Sequence, residues 1–463
     1  MNATHAPAAR GASHRGTDRF PRLGLAMRRH RNLILGLQWF VVLGYMLLLV
    51  VPALLPLPPE RAHSWDDITR FAQFVFWGLW WPFVILSVML AGRSWCGVLC
   101  PEGALTEWVS RFGLGQGIPH WMKWSGWPFV AFILTTVFGQ MTSVYDYPKP
   151  ALLILGGSTL AAIATGLVWG RGKRVWCRHL CPVSGVFGLL ARVAPVHFAV
   201  DRAQWEAAPT GQRTSRRHPI NCAPIIDIRR MHSAAPCHMC GRCAGERDAV
   251  HLAVRSPSTE ILEQPVAASD RWPARLLVFG MLGVALAAFQ WSASPWLVAA
   301  KQLMAGWLGD REIMWPLEAV GHWWLFTHYP EVNDVFTWLD GALLLIYIAA
   351  EACIVGIWIW MWLILAGAAA GLAWHRLADA LIPFAGANLF VGLSLLTTAQ
   401  LSAEGLNLPW AHTLRMTLLV LVANWCVTLA WRMAKRRRAV AALGVGLAAA
   451  LPLAAWAVQF WYW

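Results

Sequence analysis

The sequence predicts an all-α integral membrane protein of about nine transmembrane helices with one small extramembrane segment. Three observations predict it. Of 463 residues, 57% are hydrophobic and only 13% charged, a balance foreign to soluble globular domains. Apolar stretches recur at the length of about 20 residues that a helix needs to cross a hydrocarbon core of roughly 30 Å. Between the fourth and fifth of them lies a polar, basic stretch too charged to sit in lipid.

The apolar stretches read as helices because lipid offers the backbone no water, and the alternating period of a closed barrel is absent. Four lie near 33–55, 71–91, 127–143 and 151–170, the third being short. Five follow near 275–292, 342–366, 380–400, 413–432 and 439–460. The chain thus divides into a basic tail (1–31), a four-helix membrane unit (32–195), the polar segment (196–272) and a C-terminal membrane unit of about five helices (273–463).

Orientation follows from the bases. Arg10, Arg15, Arg19, Arg22, Arg28, Arg29 and Arg31 precede the first span, and Lys435, Arg436, Arg437 and Arg438 follow the eighth. By the positive-inside rule these face the cytoplasm of a bacterial inner membrane, and nine spans put the C-terminus in the periplasm. The loops with Arg93, Arg111 and Lys123 and with Arg171, Lys173, Arg174 and Arg178 then also lie inside. The opposite loops hold Glu60, Asp66, Asp67, Glu318, Glu331 and Asp334. The net charge of +14 is therefore topological, and no aromatic-studded basic groove points to nucleic acid. Arg28-Arg29 precedes a run of span length without a cleavage site, which reads as a retained anchor.

Two stretches share the pattern R-x-W-C-x-x-L-C-P. They are Arg93-Ser-Trp-Cys96-Gly-Val-Leu-Cys100-Pro101 after the second span and Arg174-Val-Trp-Cys177-Arg-His-Leu-Cys181-Pro182 after the fourth. Each copy follows a pair of helices, so a duplicated two-helix unit brings the motifs to the same side of the membrane. Cysteines one helical turn apart present both thiols on one face, and proline suits the first turn of a following helix. That helix aims its positive end at the thiolates and favours an anionic cluster. A redox-active dithiol or a zinc site uses the same ligands. Cys353 and Cys426, in later spans, read as inert buried thiols.

The polar segment contains Pro236-Cys237-His-Met-Cys240-Gly-Arg-Cys243. This C-x-x-C-x-x-C run is how bacterial ferredoxins wrap three corners of a 4Fe-4S cluster. The usual fourth cysteine is missing, which argues for a single cluster here and makes Cys222 the substitute, with His232 or His238 as other candidates. A zinc ribbon would normally show two separated C-x-x-C knuckles. Arg229, Arg230 and Arg242 either raise the cluster's potential, receive an acidic partner, or form a solvated basic face.

With these motifs the chain resembles the membrane polyferredoxins with paired C-x-x-x-C-P motifs, the NapH and NosR group. Cys96, Cys100, Cys177 and Cys181 match the family motif, and the resemblance covers about the first 250 residues. It implies two 4Fe-4S clusters, redox partner proteins and electron transfer in place of a stand-alone enzyme. Two departures matter: no periplasmic flavin-binding domain precedes the first span, and about five spans follow the polar segment. The whole arrangement is most similar to FtrD, the polyferredoxin component of Ftr-type ferrous-iron uptake systems. That resemblance implies an electron accepted from iron oxidised in the periplasm, with an iron permease and periplasmic metal-binding proteins as partners. Quinol-linked electron transfer to a periplasmic reductase, and a metal-ion permease with redox-sensing clusters, are the alternatives.

Clusters on one face leave the bilayer uncrossed, so the far side needs a candidate of its own. His322, His328 and His412 suit copper, iron or haem, or else belong to an aromatic belt at the headgroups. Glu351, well inside a span, reads as part of a proton, quinone or metal-ion path, or as a buried protonated carboxyl.

Overall fold

The computed structural model describes residues 19–59, 61–207, 220–263 and 270–463. The expectations placed on Arg10, Arg15 and Glu60 lie outside them. The helices, in chain order, are α1 (Arg19–Arg29), α2 (Arg31–Leu54), α3 (Ile68–Ala91), α4 (Pro101–Val109), α5 (Trp127–Met141), α6 (Pro148–Trp169) and α7 (Ser184–Val193). Then come α8 (Arg271–Ala293), α9 (Pro295–Gly309), α10 (Trp338–Ala370), α11 (Trp374–Ala403), α12 (Ala411–Met433) and α13 (Arg438–Trp461). The fold is an all-α membrane protein with very little sheet.

Eight of these, α2, α3, α6, α8 and α10 to α13, are long and apolar enough to cross a membrane. The ninth expected span is α5, which has only 15 residues, about 22 Å at 1.5 Å per residue. Among the described residues the nine expected spans are thus eight long helices and one short one. Pro128 in the first turn sets where α5 begins, and the chain turns away at Thr142 and Ser143, whose φ is 48°. Even so, α5 runs beside α8 at both ends. Phe129 meets Trp272, and Trp291 donates from Nε1 to Gln140 at 2.7 Å.

The basic tail is not free where it is described. α1 packs on the polar segment: Gly24 lies against Leu252 and Phe198, and Arg28 donates to the Ala244 carbonyl at 2.6 Å. In that segment β1 (Val196–Val200) pairs antiparallel with β2 (Val250–Val254). Phe198, Met239, Val250 and Leu252 form its small core, which Phe20 and Met27 of α1 extend. A core this small gains stability from its neighbours and from whatever its cysteines bind.

Buried polar links join the units, as suits helices that lipid does not drive together. Asn388 of α11 donates to the Met281 carbonyl of α8 at 2.8 Å and accepts from Trp456 Nε1 of α13 at 2.7 Å. Arg192 of α7 pairs with Asp379 of α11 at 2.7 Å and with Glu260 of the polar segment at 3.7 Å. Arg376 and Arg255 complete the network, at 2.9 Å from Asp379 and 2.6 Å from Glu260.

Candidate metal centre

The two R-x-W-C-x-x-L-C-P copies follow α3 and α6, so both emerge at the same end of the bundle. Cys96 lies in a π-helical turn, Trp95–Leu99, and Cys177 in a short α-helical one, Val175–His179. Cys100 caps α4, its Sγ accepting from the Gly103 amide at 3.4 Å. Burial pushes the Cys100 thiol well up, and Cys96 and Cys177 add to it. Cys181 is raised by burial, then by Glu102, Cys177, Cys100 and Cys96, and Cys177 is pushed up to about 12 by burial against the pull of Arg174. The four thiols thus feel one another, and ionising them together demands a nearby positive group.

The motif arginines cross between the copies. Arg174 of the second copy donates to the Cys96 carbonyl of the first, and Gly103 leaves it room, since a Cβ there would lie 3.1 Å from its guanidinium. Arg93 of the first copy donates to Ser184 Oγ at 3.0 Å, and that hydroxyl donates to the Cys177 carbonyl at 2.8 Å. Ser184 and Gly103 hold equivalent places in the repeat, so each arginine braces the other copy's first cysteine. Trp176 adds a further crossing, donating to Glu102 at 3.1 Å.

The second group lies beside the first. Cys222 sits on a loop pinned to the stretch before the second motif: Arg174 N donates to the Ala223 carbonyl at 2.8 Å, and Lys173 donates to the Cys222 carbonyl at 3.1 Å. Burial pushes Cys237 up to about 12, with Cys240 and Cys222 adding. Burial likewise raises Cys243, followed by Cys237, Cys240 and Cys222. The other candidates for a fourth ligand stand differently. His232 is exposed and engages Arg202, whereas His238 is buried among arginines and held neutral chiefly by that burial.

Gly97 is where the groups meet. A Cβ there would overlap the His238 carbonyl oxygen and lie 2.9 Å from the Cys240 nitrogen. The Gly97 carbonyl accepts from buried Gln38 of α2 at 2.8 Å. Glu107 of α4 ties the assembly together, accepting from Arg174 Nε at 2.8 Å and from Arg242 of the cysteine run. Arg93 adds a 3.1 Å bond to the Ala235 carbonyl. Sequence reasoning noticed the arginines only as charge. The repeat itself carried the signal, because both copies begin with arginine; Glu107 had no such mark.

Two groups of four thiols, all free of disulfides, fit a thiolate-held cluster as a donor set. Among the described residues no three His, Cys, Asp or Glu side chains converge as they would around a single metal ion. The residues expected on the far side are not brought together either. His322 stacks on Trp324, His412 packs on Phe460, His328 pairs with Val335 in a two-residue strand, and Glu351 sits within α10.

The fold and these cysteines define an integral membrane protein of the iron-sulfur, ferredoxin type. A family described as a 4Fe-4S binding domain matches residues 73–119 and 152–200, the stretches holding the two motif copies. The chain is similar to the putative electron transport protein YccM of Escherichia coli K12, with 24% identity over 46% of this chain and 65% of the relative. It is 26% identical to the ferredoxin-type protein NapH of the same organism, over 35% of this chain and 62% of NapH. The methylamine utilization ferredoxin-type protein MauN of Methylorubrum extorquens is 24% identical over 26% of this chain and 46% of its own length. The chain therefore spans less than two thirds of each of these relatives. No solved structure matches. Together the matches support a membrane-type polyferredoxin family.

Proposed function

We propose that this protein is a membrane electron-transfer subunit with two neighbouring 4Fe-4S clusters, one on Cys96, Cys100, Cys177 and Cys181 and one on Cys222, Cys237, Cys240 and Cys243. The contact at Gly97 carries the reading. Because that residue has no side chain, the backbone of His238 to Cys240 rests against the first cysteine pair, so clusters held by the two groups would lie side by side. When bound, the clusters supply the one-electron chemistry; the protein fixes their separation and offsets their negative charge with Arg93, Arg174, Arg178 and Arg242.

The positive-inside pattern supports a cytoplasmic site for both clusters in a bacterial inner membrane, with the N-terminus inside and the C-terminus in the periplasm. Within that frame the electron donor is a ferrous-iron oxidation and uptake system, and clusters held by these cysteines would supply the acceptor for the single electron that Fe(II) gives up on becoming Fe(III). The long C-terminal unit supports this over a NapH-like role, since NapH matches only 35% of the chain. An iron permease and periplasmic metal-binding proteins are the partners.

Anaerobic purification with iron and acid-labile sulfide counts, and EPR after dithionite, tests the clusters. The intact protein is expected to hold about eight irons, and Cys240→Ser and Cys96→Ser about four each. Colourless protein without labile sulfide sinks the proposal. Cluster reduction by a quinol analogue without ferrous iron would redirect the donor assignment while leaving the clusters in place.

A further inference from the structure

The repeat is symmetric in its cysteines but not in its charges. Arg174 has Glu107, which accepts from its Nε at 2.8 Å. In the repeat, Gly188 holds the place of Glu107, and Arg93 holds that of Arg174. Arg93 is 5% exposed, and its Nε has no hydrogen-bond partner. Beside it, where the missing carboxylate would stand, lies a cavity of about 360 Å³ lined by Arg93, Arg178 and Gly188 among others. Among the described residues neither Arg93 nor Arg178 pairs with a carboxylate, and each repels the other. The two acids in the lining are already engaged: Asp379 with Arg192 and Arg376, and Asp270 as the cap accepting from the Trp272 amide.

The rest of the wall mixes apolar side chains, Phe129, Leu189 and Trp272 among them, with Arg192 and the hydroxyls of Ser125, Ser184 and Ser233. It lies where α5 and α8 begin, and Trp124 packs on Trp272 at a centroid distance of 4.9 Å there, the sort of tryptophan pair that marks a headgroup layer. Cations beside apolar walls at that depth suit an amphiphile with a phosphate head. We propose that the cavity is a phosphate site for the headgroup of an anionic phospholipid, which does for Arg93 what Glu107 does for Arg174. The bound charge lies beside Ala235 and Ser184, the residues through which Arg93 holds both cysteine groups, so lipid composition bears on how the clusters are held.

The full-length holoprotein in neutral detergent tests this, with three probes: phosphatidylglycerol, phosphatidylcholine and inorganic phosphate. Bound phosphorus is counted by native mass spectrometry, and iron content confirms folding. Retention of phosphatidylglycerol over phosphatidylcholine is expected. Arg178→Gln should weaken it roughly tenfold, as loss of one charge-assisted hydrogen bond does. Gly188→Glu should abolish it by supplying the missing carboxylate; a Cβ at Gly188 meets nothing nearer than 3.6 Å. Saturation by inorganic phosphate, with the same sensitivity to both variants, supports the site with free phosphate as its source. Equal retention of both lipids, binding that neither variant changes, or occupation by a neutral quinone analogue alone overturns the proposal. None of these readings depends on electron transfer, so the cluster assignment is tested separately.

Discussion

After its first cysteine, one copy of the repeated motif has Gly97 and the other has Arg178. Three residues past the second cysteine, the same copies have Gly103 and Ser184, and further along Glu107 and Gly188. The first copy is thus small where the second is polar, and acidic where the second is bare. The small positions receive other parts of the protein: the His238 to Cys240 backbone fills the space at Gly97, and the Arg174 guanidinium the space at Gly103. The second copy faces a cavity instead. Duplication preserved the ligand pair in both copies, while the positions between and after the cysteines adapted each copy to its neighbours.

The largest test of this asymmetry is Glu107→Gln. Glu107 is 6% exposed and faces Arg174, itself 1% exposed, and Arg242. Although burial raises its pKa, the two guanidiniums outweigh that and hold the carboxyl below its ordinary range. Removing the charge leaves two arginines without their counterion, and breaking a buried pair in this way costs about 3–5 kcal/mol. A loss of that size in denaturant unfolding is expected, with release of the Cys222 to Cys243 cluster before the other, because Arg242 belongs to that run. A loss below about 1 kcal/mol, the range of exposed pairs, would show that the two copies do not differ in this respect.

Gly97→Ala comes next. The methyl group meets backbone atoms, which have less freedom to yield than side chains, and overpacking of this kind costs about 1–3 kcal/mol. Arg178→Ala, at the equivalent place in the second copy, should stay within about 0.5 kcal/mol, as exposed positions usually do. The pair is read by thermal unfolding and by EPR of the reduced protein. Magnetic coupling between the clusters is expected in the wild type and in Arg178→Ala, and weakened in Gly97→Ala. Equal behaviour of the two variants would remove Gly97 from its place as the contact.

Much of this organisation was legible beforehand, and for a physical reason. Lipid forces span-length apolar helices, so the membrane class and the long helices stood in the hydropathy, and short-spaced cysteines are the mark of cluster ligation, so both sets of thiols could be named as candidates. The failures share a different cause. α5 was expected to run to residue 143, but it ends at Met141, where Thr142 and Ser143 form a turn that hydropathy does not mark. α1 was taken for a tail because its contacts are with residues more than 150 positions away, such as Phe198 and Leu252. Glu107 looked like any helical glutamate, since its importance depends on two arginines that only the folded chain brings to it. His322, His328 and His412 attracted attention as chemically capable residues, but their separate aromatic and strand contacts do not gather them.

A smaller effect than that of Gly97→Ala is expected at Ser184, where it asks how the second copy manages without the space that Gly103 provides. Ser184→Ala removes the hydroxyl that passes the hold of Arg93 on to the Cys177 carbonyl. It should cost about 1 kcal/mol, the net worth of a hydrogen bond, with some addition for the donor left buried. Ser184→Gly should cost less than Ser184→Ala, even though glycine at helical positions is ordinarily the worse residue. With no side chain there, Arg93 is free to reach the Cys177 carbonyl directly, as Arg174 reaches Cys96. Denaturant midpoints of the two variants decide it. If the alanine variant is the more stable of the two, as intrinsic propensity alone demands, the two arginine crossings are not equivalent parts of one symmetric device.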